Sequence, residues 1–281
     1  MKLAEVSSPP TCMIIGRGGS GKTHFIGTLL RKVPDTLVVT SDLPGLDTLK
    51  HMDGIDPTKV EVLHIQDWRN IWQVYLQIEK AVTDYRCLAV DNANFLQRLQ
   101  KDMIVSSPRS AESRKQQQSD PARYAEGVLL RQFLGDGQPK DQRQWGQLMG
   151  FEAWLLACRR LPFQFQIWTF HEAARDDSRS GKEHFFPALE GQTRLTLGGH
   201  FSLVGELLRE PVEEKTRFCL STLARANTEA KTRYGPGRVW LEPSALDVFE
   251  YCLEPEKYRQ MTKLEVTIAE SLMTQPKPQA S

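Results

Sequence analysis

Short runs of consecutive apolar residues alternate with stretches of helical spacing over residues 11–170. Thr11-Cys12-Met13-Ile14-Ile15 reads as a buried strand. After a glycine-rich turn, Phe25, Ile26, Leu29 and Leu30 recur at helical spacing until Pro34 stops them, so residues 12–33 predict strand, loop, helix. Leu37-Val38-Val39-Thr40 and Val60-Glu61-Val62-Leu63-His64-Ile65 predict two more strands, and Asp67 opens a helix with Ile71, Val74, Tyr75 and Ile78 on one face. Trp68 and Trp72 are expected to pack on that helix face. Tyr85-Arg86-Cys87-Leu88-Ala89-Val90 and Phe165-Gln166-Ile167-Trp168-Thr169-Phe170 are further strand runs, separated by helices around residues 95–103 and 145–160. This alternation predicts an α/β fold, a mainly parallel, doubly wound sheet with helices on both faces. Past residue 200, Val204–Arg209, Thr216–Thr222 and Val239-Trp240-Leu241 predict antiparallel edge strands that end the sheet.

Two segments break the pattern. Residues 1–10 are a polar lead-in ending in Pro9-Pro10, and residues 106–143 hold Ser107-Pro108, Gln116-Gln117-Gln118, Gly135, Gly137 and Pro139 with few regularly spaced apolar positions. The second reads as a mobile insertion in one domain spanning 11–273, and 274–281 as a disordered tail.

Composition narrows the function classes. Of 281 residues 40% are hydrophobic and 25% charged, which excludes an intrinsically disordered chain. Lys and Arg number 36 against 35 Asp and Glu, so a polyanion must be met by a local patch and not by a whole-chain field. Runs such as Trp154-Leu155-Leu156-Ala157-Cys158 fall far short of the ~18 apolar residues of a spanning helix, and the start carries no signal-like apolar run, so a cytoplasmic location without membrane contact is expected. Cys12, Cys87, Cys158, Cys219 and Cys252 are odd in number, widely spaced and embedded in apolar segments. They are expected as reduced core residues, with neither a disulfide frame nor a zinc site.

The chemistry-bearing motif is Gly16-Arg17-Gly18-Gly19-Ser20-Gly21-Lys22-Thr23, a complete G-x-x-x-x-G-K-[ST] P-loop between a strand and a helix. Its glycines let successive N–H groups face phosphate oxygens at a helix N-terminus; Lys22 is placed to reach the β- and γ-phosphates of ATP, and the Thr23 hydroxyl to ligate Mg²⁺. Asp91, directly after Cys87-Leu88-Ala89-Val90, stands where a Walker-B carboxylate supports that ion, or where it could cap the helix that follows. Asp42 follows the second strand and could polarise an attacking water; Pro44 and Gly45 allow a turn-forming role instead. His171 follows the Phe165–Phe170 run, where a neutral imidazole could hydrogen-bond the γ-phosphate or the water. Lys231-Thr232-Arg233-Tyr234-Gly235-Pro236-Gly237 sets two cations one residue apart, as either a solvated hairpin or a finger for a neighbouring subunit's phosphate.

In this order the motifs resemble the RecA/DnaB-type P-loop ATPases. Within them the chain is most similar to small bacteriophage-type RecA-like ATPases (an AAA-domain, single-strand-annealing and recombination group), over roughly residues 11–242. The resemblance implies a Mg²⁺-dependent ATP hydrolase with a RecA-like core, acting as a homo-oligomeric ring or filament on single-stranded DNA, with Lys231 and Arg233 serving in trans. It further implies a phage single-strand-binding or replication protein as partner. The family usually carries Glu where Asp42 stands, which shortens the reach to the water. RecA-like DNA-binding loops would fall at 98–118, with Arg98, Lys101, Arg109, Arg114 and Lys115 against Asp102 and Glu112, and at 175–182, with Arg175, Arg179 and Lys182 against Asp176 and Asp177. Tyr124 and Phe133 could stack on bases or anchor the insertion. A nucleotide-gated helicase loader with little hydrolysis and a small-molecule P-loop kinase remain the alternatives.

Overall fold

Six consecutive buried residues make Thr11–Gly16 (β1) an interior strand, paired in parallel with β5 (Phe165–Asp177) on one side and β7 (Leu203–Val212) on the other. In the computed structural model, residues 9–106, 142–177, 182–189, 193–212, 215–225, 228 and 230–274 are described. The remaining elements are α1 (Lys22–Leu30), β2 (Thr36–Thr40), α2 (Asp47–Lys50), β3 (Val62–His64), α3 (Ile71–Ala81), β4 (Cys87–Val90), α4 (Ala93–Ser106) and α5 (Gln142–Arg159). After β5 come β6 (Lys182–Pro187) and α6 (Thr193–Thr196); after β7 come β8 (Lys215–Ser221), β9 (Lys231–Thr232), β10 (Val239–Leu241), α7 (Ala245–Leu253) and α8 (Lys263–Thr274). The sheet runs β10-β8-β7-β1-β5-β4-β2-β3, with β6 on β5 and β9 on β7. This is the expected α/β, doubly wound sheet, mainly parallel with antiparallel strands at one edge. Residues 1–8 of the lead-in, the insertion core with Arg109, Arg114, Lys115, Tyr124 and Phe133, Arg179, and the tail beyond Thr274 lie outside the described residues.

Period-two alternation in the core strands sends side chains to opposite layers. Met13, Ile15, Val39, Val90, Trp168 and Phe170 pack under α3, α4 and α5, whereas Cys12, Ile14, Val38, Ala89, Phe165 and Ile167 pack against α1 and α7. Trp154 of α5 is fully buried, edge-on to both Trp68 and Trp168. Gln166 is polar within this layer because its amide closes α5: Nε2 donates to the carbonyls of Cys158 and Leu161 at 3.3 and 3.0 Å, and Oε1 accepts from Trp168 Nε1. All five cysteines are buried and free, as expected.

Three expectations are corrected. Asp67 caps a single 3₁₀ turn, Trp68–Asn70, and the α-helix starts only at Ile71. That tighter turn shifts the helical phase, so Trp68 is 6% exposed while Trp72 lies 52% exposed against Tyr75 and does not share its burial. The run 203–212 is not an antiparallel edge strand; it is parallel to β1, and β8 is the strand that turns against it. Finally, β5 does not stop at Phe170. It continues to Asp177 and pairs antiparallel with β6, so Arg175 and Lys182 belong to a hairpin's strands and not to a loop.

Candidate active site

Local geometry explains why a phosphate cradle forms at the carboxyl end of β1. An ideal Cβ on Gly16 would lie 2.7 Å from the Leu207 carbonyl oxygen, so only glycine lets the chain leave the strand there. Gly21 precedes α1 at φ 92, in the left-handed region, and a Cβ there would strike the Phe218 ring at 2.6 Å. Ser20 N–H donates to the Arg17 carbonyl at 3.1 Å, and α1 then begins with Lys22.

Lys22 is only 6% exposed. Its Nζ donates to the Gly16 and Arg17 carbonyls at 2.7 and 2.8 Å and lies 3.4 Å from His171 Nδ1. Burial lowers its pKa to about 8, against the opposing pull of the Asp91 and Glu172 carboxylates. His171 stands opposite Gly16 in the β1–β5 register, which is how residues far apart in sequence meet. Burial and the Lys22 charge lower the His171 pKa, so the imidazole is neutral at pH 7. Asn94 of α4 fixes it: Oδ1 accepts from the His171 backbone N–H, and Nδ2 donates to the Ala188 carbonyl.

Asp91 is 5% exposed and is not the cap of α4. Thr23 Oγ1 donates to its Oδ2 at 2.6 Å and Thr169 Oγ1 to its Oδ1 at 2.5 Å, while Asn92 Oδ1 takes the capping contact from Phe95 N–H at 3.4 Å. Burial raises the Asp91 pKa; the two hydroxyl donors and Lys22 oppose that rise. Asp42 lines the same cleft, where Oδ1 accepts from Gly45 N–H at 3.3 Å, so it shapes its turn while lining the cleft. The cleft measures about 360 Å³ and brings Lys22, Thr23, Asp42, Asp91 and His171 together.

Thr23 and Asp91 offer a hydroxyl and a buried carboxylate side by side, the hard oxygen donors that suit Mg²⁺. Among the described residues no three His, Cys, Asp or Glu side chains form a cage of their own, so such an ion would be shared with phosphate oxygens. The donor set therefore fits a nucleotide-borne Mg²⁺.

Lys231 and Arg233 do not join this cluster. Arg233 N–H donates to the Ser202 carbonyl, and Ser202 N–H to that of Thr11, so Arg233 flanks the first residue of β1 while the P-loop leaves its last. Five residue steps along the strand separate those ends, about 16 Å. The Arg233 guanidinium is exposed and donates to the Gly199 carbonyl at 2.7 Å.

Sequence reasoning missed Thr169, Asn94, Arg209 and Phe218. Thr169 could have been found from strand alternation, since it sits two residues before His171 on the same face. Arg209 and Phe218 come from the β7–β8 hairpin, stacked 5.1 Å apart at the cleft mouth, and no local motif marks them. The Arg17 guanidinium makes a 3.5 Å ion pair with Glu172, tying the P-loop to β5.

Alkaline pH should weaken this site. In the free protein Lys22 carries its charge below about pH 8, so kcat/KM for ATP is expected to fall as pH rises through that value. On the acid side, protonation of Asp91 should cut activity at a pH above the ordinary carboxylate range. A kcat/KM profile flat from pH 7 to 10 contradicts the Lys22 assignment.

The sheet, the phosphate cradle and the Thr23–Asp91 pair define a P-loop nucleoside triphosphatase domain. Residues 8–234 match the model of an AAA-domain family, and the chain belongs to that family. No curated protein matches the chain. Among solved structures, a KaiC-like protein from the hyperthermophilic archaeon Pyrococcus horikoshii OT3 aligns at 12% identity and TM-score 0.45, covering 83% of this chain and 89% of that one.

Proposed function

We propose that the protein is a Mg²⁺-dependent, RecA-type ATP hydrolase acting on single-stranded DNA as a homo-oligomer, in phage recombination, repair or replication. The observation that carries the hydrolase reading is the convergence of Lys22, Thr23, Asp42, Asp91 and His171 on one cleft. Lys22 exchanges its two backbone carbonyls for β- and γ-phosphate oxygens when the triphosphate enters. The Asp42 carboxylate, in the same cleft, orients the attacking water. Neutral His171, next to Lys22 Nζ, donates to the γ-phosphate through its other nitrogen and registers its departure. Mg²⁺, held by Thr23 and supported by Asp91, would supply charge neutralisation between the phosphates.

Asp91→Asn tests this reading. It is expected to keep ATP binding within a few-fold but to lose Mg²⁺-dependent phosphate release by on the order of 10²-fold. Unchanged turnover would demote Asp91 to a structural role.

The DNA reading rests on the cations of residues 98–118 and on the β5–β6 hairpin, which leaves the sheet directly beyond His171. Deleting residues 108–140 is expected to weaken binding of a fluorescent single-stranded oligonucleotide about tenfold or more while basal ATPase persists. Normal affinity in that variant moves the DNA site elsewhere.

A further inference from the structure

A second cleft, also about 360 Å³, adjoins the phosphate cleft and shares Gly21, His24 and Phe218 with it. It follows one flank of α1, where Gly21, His24, Thr28 and Arg31 recur at helical spacing; at 1.5 Å per residue that flank is about 15 Å long. The first holds cations, hydroxyls and carboxylates suited to phosphate and metal. The second is lined by Phe25, Leu207, Phe218 and Pro243, and also by Glu242 and the cations Arg31 and Lys32.

Two features mark this cleft as a binding site. His24 and Phe218 are stacked, ring centroids 5.7 Å apart and planes within 19°, forming an aromatic divider between the clefts. Burial and the Arg31 charge lower the His24 pKa, so the divider is uncharged on its imidazole side at pH 7. Glu242 is the single non-glycine with positive φ among the described residues, at 49°, held there by its N–H donating to the Phe218 carbonyl at 2.7 Å. A strained residue on a cleft wall is characteristic of ligand contact. Its carboxylate makes no ion pair among the described residues.

We infer that this second cleft takes the base of the nucleotide, an amino-bearing purine, with Glu242 accepting from the exocyclic amine and the His24–Phe218 stack bearing on the ring. The inference rests on the phosphates occupying the first cleft. A carboxylate only accepts hydrogen bonds, so it selects for a ring that presents an N–H donor at that edge.

The test is competition binding to the full chain by ATP, by purine riboside triphosphate, which lacks only the amine, and by inorganic triphosphate. Wild type is expected to favour ATP over purine riboside triphosphate about tenfold or more. Glu242→Gly suits the left-handed backbone and removes the carboxylate; it should bring the two nucleotides within twofold while inorganic triphosphate binds as before. Equal binding of the two nucleotides by wild type, or a preference that survives Glu242→Gly, overturns the base assignment. Failure of inorganic triphosphate to bind wild type at all instead overturns the phosphate reading beneath it.

Discussion

Lys22→Ala is expected to abolish ATP hydrolysis, with a loss of about 10³-fold or more in phosphate release and an unfolding midpoint close to that of wild type. Lys22 is the cation at the foot of the cleft, and in the free protein its ammonium is satisfied by the Gly16 and Arg17 carbonyls. Lys22 itself lines the cleft, so water is expected to take the ammonium's place at those carbonyls. What cannot be replaced is a positive charge fixed beside the β- and γ-phosphates, where charge shifts as the phosphoryl group leaves. Burial still lowers the His171 pKa in the same variant, but the second cause, the Lys22 charge, is gone. Its imidazole should then titrate closer to the ordinary histidine value. Turnover at the wild-type rate in Lys22→Ala would place hydrolysis outside the P-loop.

Arg233→Ala should bind ATP nearly as wild type does yet hydrolyse it about 10³-fold more slowly. Arg233 flanks Thr11 at one end of β1, and the P-loop leaves Gly16 at the other, farther than one side chain spans. If Arg233 stabilises a transferring phosphoryl group, that group belongs to another subunit. An interface that joins the Arg233 end of one copy to the P-loop end of the next is head-to-tail, which generates a ring when it closes and a filament when it does not. Hydrolysis should accordingly rise with protein concentration more steeply than linearly. Mixing inactive Arg233→Ala with inactive Lys22→Ala should restore activity, because some interfaces pair the intact P-loop of the first with the intact Arg233 of the second. A mixture as inactive as its components would confine both residues to one chain or remove Arg233 from the reaction. Lys231 begins β9, opposite Val204 of β7, and accompanies Arg233 on that end.

The parallel core was legible because its strands are buried on both faces and so read as unbroken apolar runs. The P-loop was legible because one contiguous segment carries the whole cradle. Asp91 was legible by position, but its hydrogen bonds to Thr23 and Thr169, which reach it from other elements, were not. The β5–β6 hairpin was read as a loop since Arg175, Asp176, Asp177 and Lys182 are polar. Its pairing is carried by backbone bonds, with Phe185 and Phe186 as the buried members. α7 and α8 went unread, although Ser244 ahead of Asp247 is a capping signal; Ser244 Oγ does accept from the Leu246 N–H at 3.2 Å. Phe218 and Arg209 were beyond sequence reasoning, because only the fold of the hairpin over α1 brings them to the cleft.

The most direct measurement is phosphate release from ATP by the full chain with Mg²⁺, with and without single-stranded DNA. Steady turnover that single-stranded DNA accelerates is the expected result. Tight ATP binding with no turnover under either condition would contradict it and favour a nucleotide-gated scaffold or helicase loader. Transfer of the phosphoryl group to an added small-molecule acceptor would contradict it in the other direction, as a kinase.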